Sequence, residues 1–570
     1  MYTTISENKS FFKNVVSLLI PYKKKVITIF ITMVLYGMVS AFTPKCTQYF
    51  VDKGILGQNI TFMLFCLGIL LVFGILQIMI DYMQFTLCFT LEKNMQFKLL
   101  YLGFNKMLRL KVYKYSQNNY YVISENLRND VNTISTLVDR NVIFSFTQFF
   151  QILGGLIGLI WVNWRLIVLL VLIIPLKLIL IQFFSILQEK TFKQEMDCFE
   201  KYFGFWGDII QNIKVIKLWN LYSYERKHLK KIYRDLKKIS YKSQKYNKIH
   251  SVLNMFLDLL FQITAYFLGG FLIFKGKMTI GGLIAFFTYA GLIVNPINLI
   301  SFVKKEMSKI KPALERYIDL ITSEEEKKKR TKNSNFSLET FIPQQIIFDH
   351  VSYTVSQNKV LDSVSFSINH GEKVAVLGKN GSGKTTILNL LLRLCEPTSG
   401  CILFDNVDIR YFDIDAYRDM ITIVPQELTF FNSTLLDNIC FKPCRDKLDT
   451  LKNNLLKTEM ENVLNQLKKF FYREIGNNGM YLSGGEKQKL ALVRAVNKNA
   501  NIFILDEASS NFDVESIKMF KKFLRNKVSS YDFVFVITHQ KEILEEMDKI
   551  ITISDGVVTG ISNKTEESGE

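Results

Sequence analysis

The sequence predicts a helical domain that crosses a membrane six times, followed by an α/β domain built on a parallel sheet. Three observations predict it. Six long apolar stretches precede residue 305, short β-rich runs alternate with helical segments after residue 343, and the motif GKNGSGKT sits at one strand-to-helix junction. The composition agrees: 49% of the 570 residues are hydrophobic, with 47 Phe, yet Lys and Arg exceed Asp and Glu by 19. Apolarity with a basic excess suits a membrane protein whose cytoplasmic loops carry the cations. Those cations are spread through loops flanking apolar spans and form no single patch, so no nucleic-acid partner is expected.

A helix needs about 20 apolar residues to span the hydrocarbon, and 26–50, 61–85, 142–163, 166–187, 251–274 and 278–302 meet that length. Short gaps between them alternate with two long ones, 86–141 and 188–250, both rich in Lys and Arg. The positive-inside rule places these long loops and both termini in the cytoplasm. Each loop can extend two helices below the membrane. The turns YSQNNYYVI (115–123) and FGFWGDIIQNI (203–213) either touch another domain or simply cap those helices.

The first 25 residues hold an apolar run from Val15 to Tyr22 followed by Lys23, Lys24 and Lys25, with no small-residue cleavage site. They read as an interfacial helix, not a cleaved signal. The expected domain order is then 26–321 in the membrane, a charged linker at 322–342, an α/β domain at 343–562 and a polar tail at 563–570. The eight Cys are scattered without a CxxC pair and are expected as reduced thiols.

The α/β domain carries the chemistry. GKNGSGKT (378–385) follows the strand KVAVL and opens the helix TTILNLLLRL. Gly378, Gly381 and Gly383 let backbone N–H groups turn toward a phosphate chain, with Asn380, Ser382 and Thr386 in the same cradle. Lys384 reaches the β and γ phosphates of ATP, and the Thr385 hydroxyl ligates Mg²⁺. NIFILDE (501–507) is a buried strand ending in two carboxylates. Asp506 is expected to hold Mg²⁺ through water, and Glu507 to orient the water that attacks the γ phosphate.

With these motifs in order, and LSGGE at 482–486, the chain resembles an exporter-type half-transporter of the ATP-binding cassette (ABC) superfamily over essentially its whole length. The resemblance implies a helical subdomain within the nucleotide-binding domain and ATP hydrolysis coupled to transport by alternating access. It also implies a dimer in which Ser483, Gly484 and Gly485 of one chain complete the ATP site of the other. Gln426 in IVPQE becomes the lid glutamine that senses Mg²⁺ and the γ phosphate. His539 in VITHQ becomes a catalytic switch histidine, and Asp513 in SSNFD an aspartate that communicates across the dimer. Glu474 sits where exporters contact a partner's cytoplasmic loop, and GKMTIGGLIAF (276–286) with NPI (295–297) resembles the sixth exporter span.

Three positions depart from the family pattern: Glu486 replaces the usual glutamine, SSNFD lacks the usual small-residue run, and Val355 replaces the aromatic that stacks on adenine. Tyr353 shares its strand face with Val355 by the period-two rule. Inside the spans, Asp81, Lys177 and Asp258 are costly and mark either the substrate pathway or mutual pairing and interfacial water. Gln48, Gln84, Gln148, Gln151, Gln182, Asn254 and Gln262 suit a hydrated cavity.

The expected function is ATP-driven export of an amphipathic substrate, a peptide first, with a lipid or drug as alternatives. The partners are a second half-transporter, a homodimer ahead of a heterodimer, and membrane lipid. A nucleotide-gated channel or receptor is the rival class, and intact Lys384, Asp506, Glu507 and His539 favour turnover over gating. The expected location is a bacterial plasma membrane. No cysteine-protease domain precedes the first span, so leader-peptide cleavage by this chain is not expected.

Overall fold

The computed structural model describes residues 17–112, 120–162, 166–326, 343–355, 358–441, 471–498, 500–507, 514–526 and 532–563. Asp513, most of the charged linker, the polar tail and part of the 115–123 turn lie outside the described residues. The chain divides into two units, one formed by residues 1–108 and 120–323, the other by 109–119 and 324–570.

The first unit is helical: α1 (Lys23–Tyr49), α2 (Ile60–Met107), α3 (Tyr120–Ser135), α4 (Arg140–Val162), α5 (Ile167–Gln211), α6 (Tyr222–Phe274) and α7 (Ile280–Thr322). Among the described residues, six helices are long and apolar enough to cross a membrane, as the apolar stretches predict. Their length exceeds the apolar stretches. The 48 residues of α2 span about 72 Å at 1.5 Å per residue, against a hydrocarbon thickness of about 30 Å. α2, α5 and α6 therefore run on from their spans into the adjoining Lys- and Arg-rich segments without a break, whereas a tight turn at Thr136–Val138 separates α3 from α4.

Spacing decides which faces meet. Cys88, Leu91, Met95 and Leu99 recur every three or four residues along α2 and are buried with Val131, Ile134 and Tyr317 in one apolar cluster. The opposite face of α2 exposes Leu64, Phe65, Ile78 and Met79, a surface suited to lipid tails. A side chain at Gly158 would lie 2.2 Å from the buried Tyr289 ring, so only glycine lets α4 and α7 approach this closely. Tyr289 Oη in turn donates to Ala41 O at 2.8 Å.

Polar side chains pair between the helices. Arg140 on α4 grips both carboxylate oxygens of Asp81 on α2 at 2.7 and 2.8 Å. Lys177, fully buried on α5, meets Asp258 Oδ1 on α6 at 2.6 Å. Asp52 accepts from Thr279 Oγ1 at 2.6 Å and Gly281 N at 2.9 Å, tying the end of the first span to the start of α7. Gln84, Gln148 and Gln151 are buried inside the bundle rather than exposed along a hydrated cavity.

The second unit holds two sheets. An antiparallel one has the order β2 (Asn358–Asn369), β1 (Gln345–Val355), β4 (Ser399–Phe404), β5 (Val407–Asp408). The other has the order β10 (Val557–Asn563), β9 (Lys549–Ser554), β3 (Lys373–Gly378), β8 (Phe533–Ile537), β7 (Ile502–Asp506), β6 (Ile421–Val424). All neighbours in it pair in parallel except β10 with β9. β7 and β8 are buried at every residue, which is why both read as unbroken apolar runs. Register carries the geometry: Asp506 lies opposite Ile537, and Leu505 lies opposite both Val424 and Val536. The carboxyl ends of β3, β8, β7 and β6 therefore lie side by side at one sheet edge.

Candidate functional site

Four loops leave that edge. After β3, residues 378–383 turn with Gly378, Gly381 and Gly383 at φ of 159°, 82° and 102°. A Cβ at Gly378 would come within 2.3 Å of Ile553 O and 2.5 Å of Ser382 Oγ, so the turn has no room for a side chain. The loop enters α8 (Lys384–Leu391) with Gly383 as its N-cap. Lys384 is buried, and its Nζ donates to Gly378 O at 2.6 Å and Lys379 O at 3.0 Å. Ser382 Oγ is buried without a hydrogen-bond partner, while Asn380, Gly381 and Thr385 are exposed at the rim and Thr386 is half-buried.

After β7, Asp506 is buried and Glu507 turns into the left-handed region at φ 48°. That region is sparse for a residue with a side chain. The Glu507 N–H donates to Ile537 O at 2.9 Å, which fixes the turn against β8. The Glu507 carboxylate then projects between two other loops. Gln426, just past β6, donates from Nε2 to Glu507 Oε2 at 2.7 Å. His539, just past β8, brings Nε2 to 3.8 Å from Glu507 Oε1. Burial and then the neighbouring Glu507 charge push the Asp506 carboxyl above the usual range, with Lys384 opposing them.

The donor set fits a hard divalent cation. Thr385, Asp506 and Gln426 offer a hydroxyl, a carboxylate and an amide oxygen, all oxygen ligands of the kind Mg²⁺ takes. The two adjoining carboxylates at Asp506 and Glu507 also leave a negative surplus beside one lysine, a surplus that such a cation relieves. The buried Ser382 Oγ, without a hydrogen-bond partner, adds a polar atom beside the glycine turn.

Ser483 is the N-cap of α9 (Gly484–Asn497). Gly484 and Gly485 have nothing within 4 Å of a built Cβ, so the start of α9 is open. Glu474 joins Thr434 through an isolated bridge. The pairing of β1 with β2 shifts register at Val351, Tyr353 and Thr354. Tyr353 packs partly buried against the apolar core, where burial and a hydrogen bond with Cys395 raise its hydroxyl pKa. Val355 is exposed. The register shift after Tyr353 places its extra residue on β2, and the two side chains differ in burial, Tyr353 packed against the core and Val355 exposed.

One brace has no motif to announce it. Arg494 on α9 donates to Asn438 O at 2.7 Å, Asn438 Oδ1 at 3.1 Å and Thr429 O at 3.0 Å. Its guanidinium also lies 4.7 Å from the Phe430 ring centroid and 5.0 Å from that of Phe441. Burial lowers its pKa to about 10. The only sequence signal is an arginine on a helix face that otherwise reads as core.

The family model described as the ABC transporter transmembrane region matches residues 26–297, and the ABC transporter model matches residues 361–510. A lactococcin-A transport/processing ATP-binding protein of Lactococcus lactis is 30% identical over 407 residues, 70% of this chain and 54% of that protein. This chain thus spans about half of that relative's length. An ATP-dependent lipid A-core flippase of Thiobacillus denitrificans is 26% identical over 456 residues, covering 80% of this chain and 78% of that protein. In fold, the chain is similar to a bacterial Atm1-family ABC exporter solved with ATP bound, with a TM-score of 0.80, 20% identity and 96% of each chain covered. Six apolar helices, a cassette with its phosphate loop and carboxylates at one sheet edge, and both family models lead to one conclusion: the chain belongs to the ABC transporters as an exporter-type half-transporter, a multi-pass membrane protein whose ATP-binding domain implies ATP hydrolysis coupled to transport.

Proposed function

We propose that two copies of this chain form an ATP-driven exporter in a bacterial plasma membrane, with both termini in the cytoplasm, moving an amphipathic peptide outward. The observation that carries the ATPase part is the meeting of Gln426, Glu507 and His539 beside Asp506 and Lys384 at one sheet edge. The lactococcin-A transport/processing relative supports a peptide. The flippase relative makes a lipid the alternative.

In this reading the backbone N–H groups of Gly378, Asn380, Gly381, Ser382, Gly383, Lys384, Thr385 and Thr386 hold the phosphates. Lys384 exchanges its two loop carbonyls for the β and γ phosphate oxygens of ATP. Thr385, Gln426 and Asp506 would hold Mg²⁺, the last through water, and Mg²⁺ when bound would neutralise charge on the phosphate oxygens. Glu507 is the catalytic carboxylate: it accepts a proton of the attacking water at the oxygen not engaged by Gln426, while His539 contacts the γ phosphate. Ser483, Gly484 and Gly485 of the second copy close the site, and Asp513 communicates between the two copies.

In the membrane, the two ion pairs differ. Arg140 satisfies both oxygens of Asp81 and acts as a clamp. Lys177 meets a single oxygen of the half-exposed Asp258, and Asn254, one turn before Asp258, has a buried Oδ1 without a partner. Lys177 and Asp258 are therefore assigned to the substrate pathway, with Asp81 at its structural margin.

Glu507→Gln is expected to keep ATP affinity within about twofold and lose turnover by at least a hundredfold, the size of a lost catalytic contact of about 2.7 kcal/mol. Phosphate release and nucleotide binding measured on both proteins check it; near-normal hydrolysis would remove Glu507 from the role. With Val355 exposed and Tyr353 packed in the core, the base lacks an aromatic platform from this strand. GTP should then compete with ATP within about tenfold, the size of a missing stacking contribution of about 1.4 kcal/mol, and a preference of several hundredfold would contradict this. Asp258→Leu should strand the buried Lys177 and lower the melting temperature, whereas Asp258→Leu with Lys177→Met should recover most of it, because a buried charge left without its partner costs about 3–5 kcal/mol and replacing both costs little. The recovered double variant should lose peptide-stimulated ATPase while keeping basal ATPase; full stimulation would exclude the pair from the pathway.

A further inference from the structure

The start of α9 carries a charge where a neutral amide would make the same bonds. Glu486 Oε2 accepts from Ser483 N at 2.8 Å and from Ser483 Oγ at 2.8 Å, and Glu486 N donates to Ser483 Oγ at 3.3 Å. This reciprocal capping box satisfies two orphan groups of the helix end, and a glutamine forms it equally well. The charge is thus not needed for the cap. A serine hydroxyl has one proton to donate, and in this arrangement that proton is held by Glu486. The Ser483 N–H, a second donor, points at the same oxygen.

The carboxylate is firmly ionised, since the Ser483 N–H and then the Ser483 hydroxyl hold its pKa below the usual range. The adjoining glycines leave open space, so an incoming anion meets no steric barrier. What it meets is a like charge seated on the donors it needs. Two anions at one helix N-terminus repel, and exclusion of water from a closing interface strengthens that repulsion.

We propose that Glu486 is an internal competitor for the γ phosphate: it occupies the Ser483 donors in the separated cassette and must be displaced before a nucleotide held by a second copy can dock there. The proposal rests on the reading that Ser483 of one chain completes the ATP site of the other. The consequence is a raised ATP threshold for closing two cassettes, set by a positioning residue that touches neither Lys384 nor Glu507. Closure is correspondingly sensitive to salt, because screening weakens the repulsion between carboxylate and phosphate.

The test uses the full-length protein in lipid nanodiscs, with Glu507→Gln present to prevent turnover, and reads cassette closure against ATP concentration from the distance between spin labels on the two cassettes. Glu486→Gln keeps the capping box and removes the charge. It should lower the ATP concentration for half-closure by about three- to tenfold at low salt, and the gap should narrow as about 0.5 M salt shortens the screening length. A merely structural Glu486 gives no shift and no salt dependence. If Glu486→Gln needs as much ATP as its parent while Ser483→Arg abolishes closure, the competitor is overturned and the shared site stands. If Ser483→Arg closes normally, the shared site falls and the competitor with it.

Discussion

The parallel register of β3, β8, β7 and β6 is the constraint on which the nucleotide site depends. Pairing Val424 with Leu505, Leu505 with Val536 and Val376 with Ile537 puts four strand ends on one line. A slip of one residue in any pair reverses the faces of that strand and carries Glu507 away from Gln426. The buried Val, Ile and Phe of these strands hold the register, and so an apolar core with no chemistry of its own sets distances between polar groups that lie far apart in sequence. The hydrogen bond from Glu507 N to Ile537 O completes the alignment by tying the carboxylate's backbone to the neighbouring strand.

The helical unit works under a different constraint. In hydrocarbon every backbone group must be satisfied within its own helix, which makes long unbroken helices the economical solution and leaves side chains to decide which faces meet. Apolar packing alone distinguishes those faces poorly from lipid, and the polar pairs are more selective. Asp81 with Arg140, Lys177 with Asp258 and Asp52 with Thr279 each join two different helices. Every such pair couples the position of one span to another.

Much of this was legible in the sequence, for reasons that are local. A span is a length of apolar chain, and a phosphate loop is a run of glycines between a strand and a helix; both are contiguous, so a single sequence displays them. Partners across space are not contiguous. Arg140 falls in the long loop 86–141 by sequence and only the fold sets it against Asp81, and no motif announces that Arg494 brackets Asn438. Val355 was legible only as a departure from the family pattern, while the packing of Tyr353 against the core depends on neighbours distant in sequence. Glu486 was visible as a departure, but its grip on Ser483 is a matter of side-chain geometry. The continuation of α2, α5 and α6 beyond their spans was also hidden from a length count, because the charged segments flanking those spans are helical without being apolar.

The account's central claim is that one ATP site is built from two copies of this chain, and subunit mixing tests it most directly. Chains carrying Lys384→Ala lack a competent phosphate loop, and chains carrying Ser483→Arg lack a competent signature; each alone should release no phosphate from ATP. When the two are co-expressed, a mixed pair places the intact loop of the second against the intact signature of the first, leaving one whole site. Purified through separate tags on the two chains, that mixed pair is predicted to regain Mg²⁺-dependent phosphate release. A mixed pair as inactive as either parent would contradict the claim.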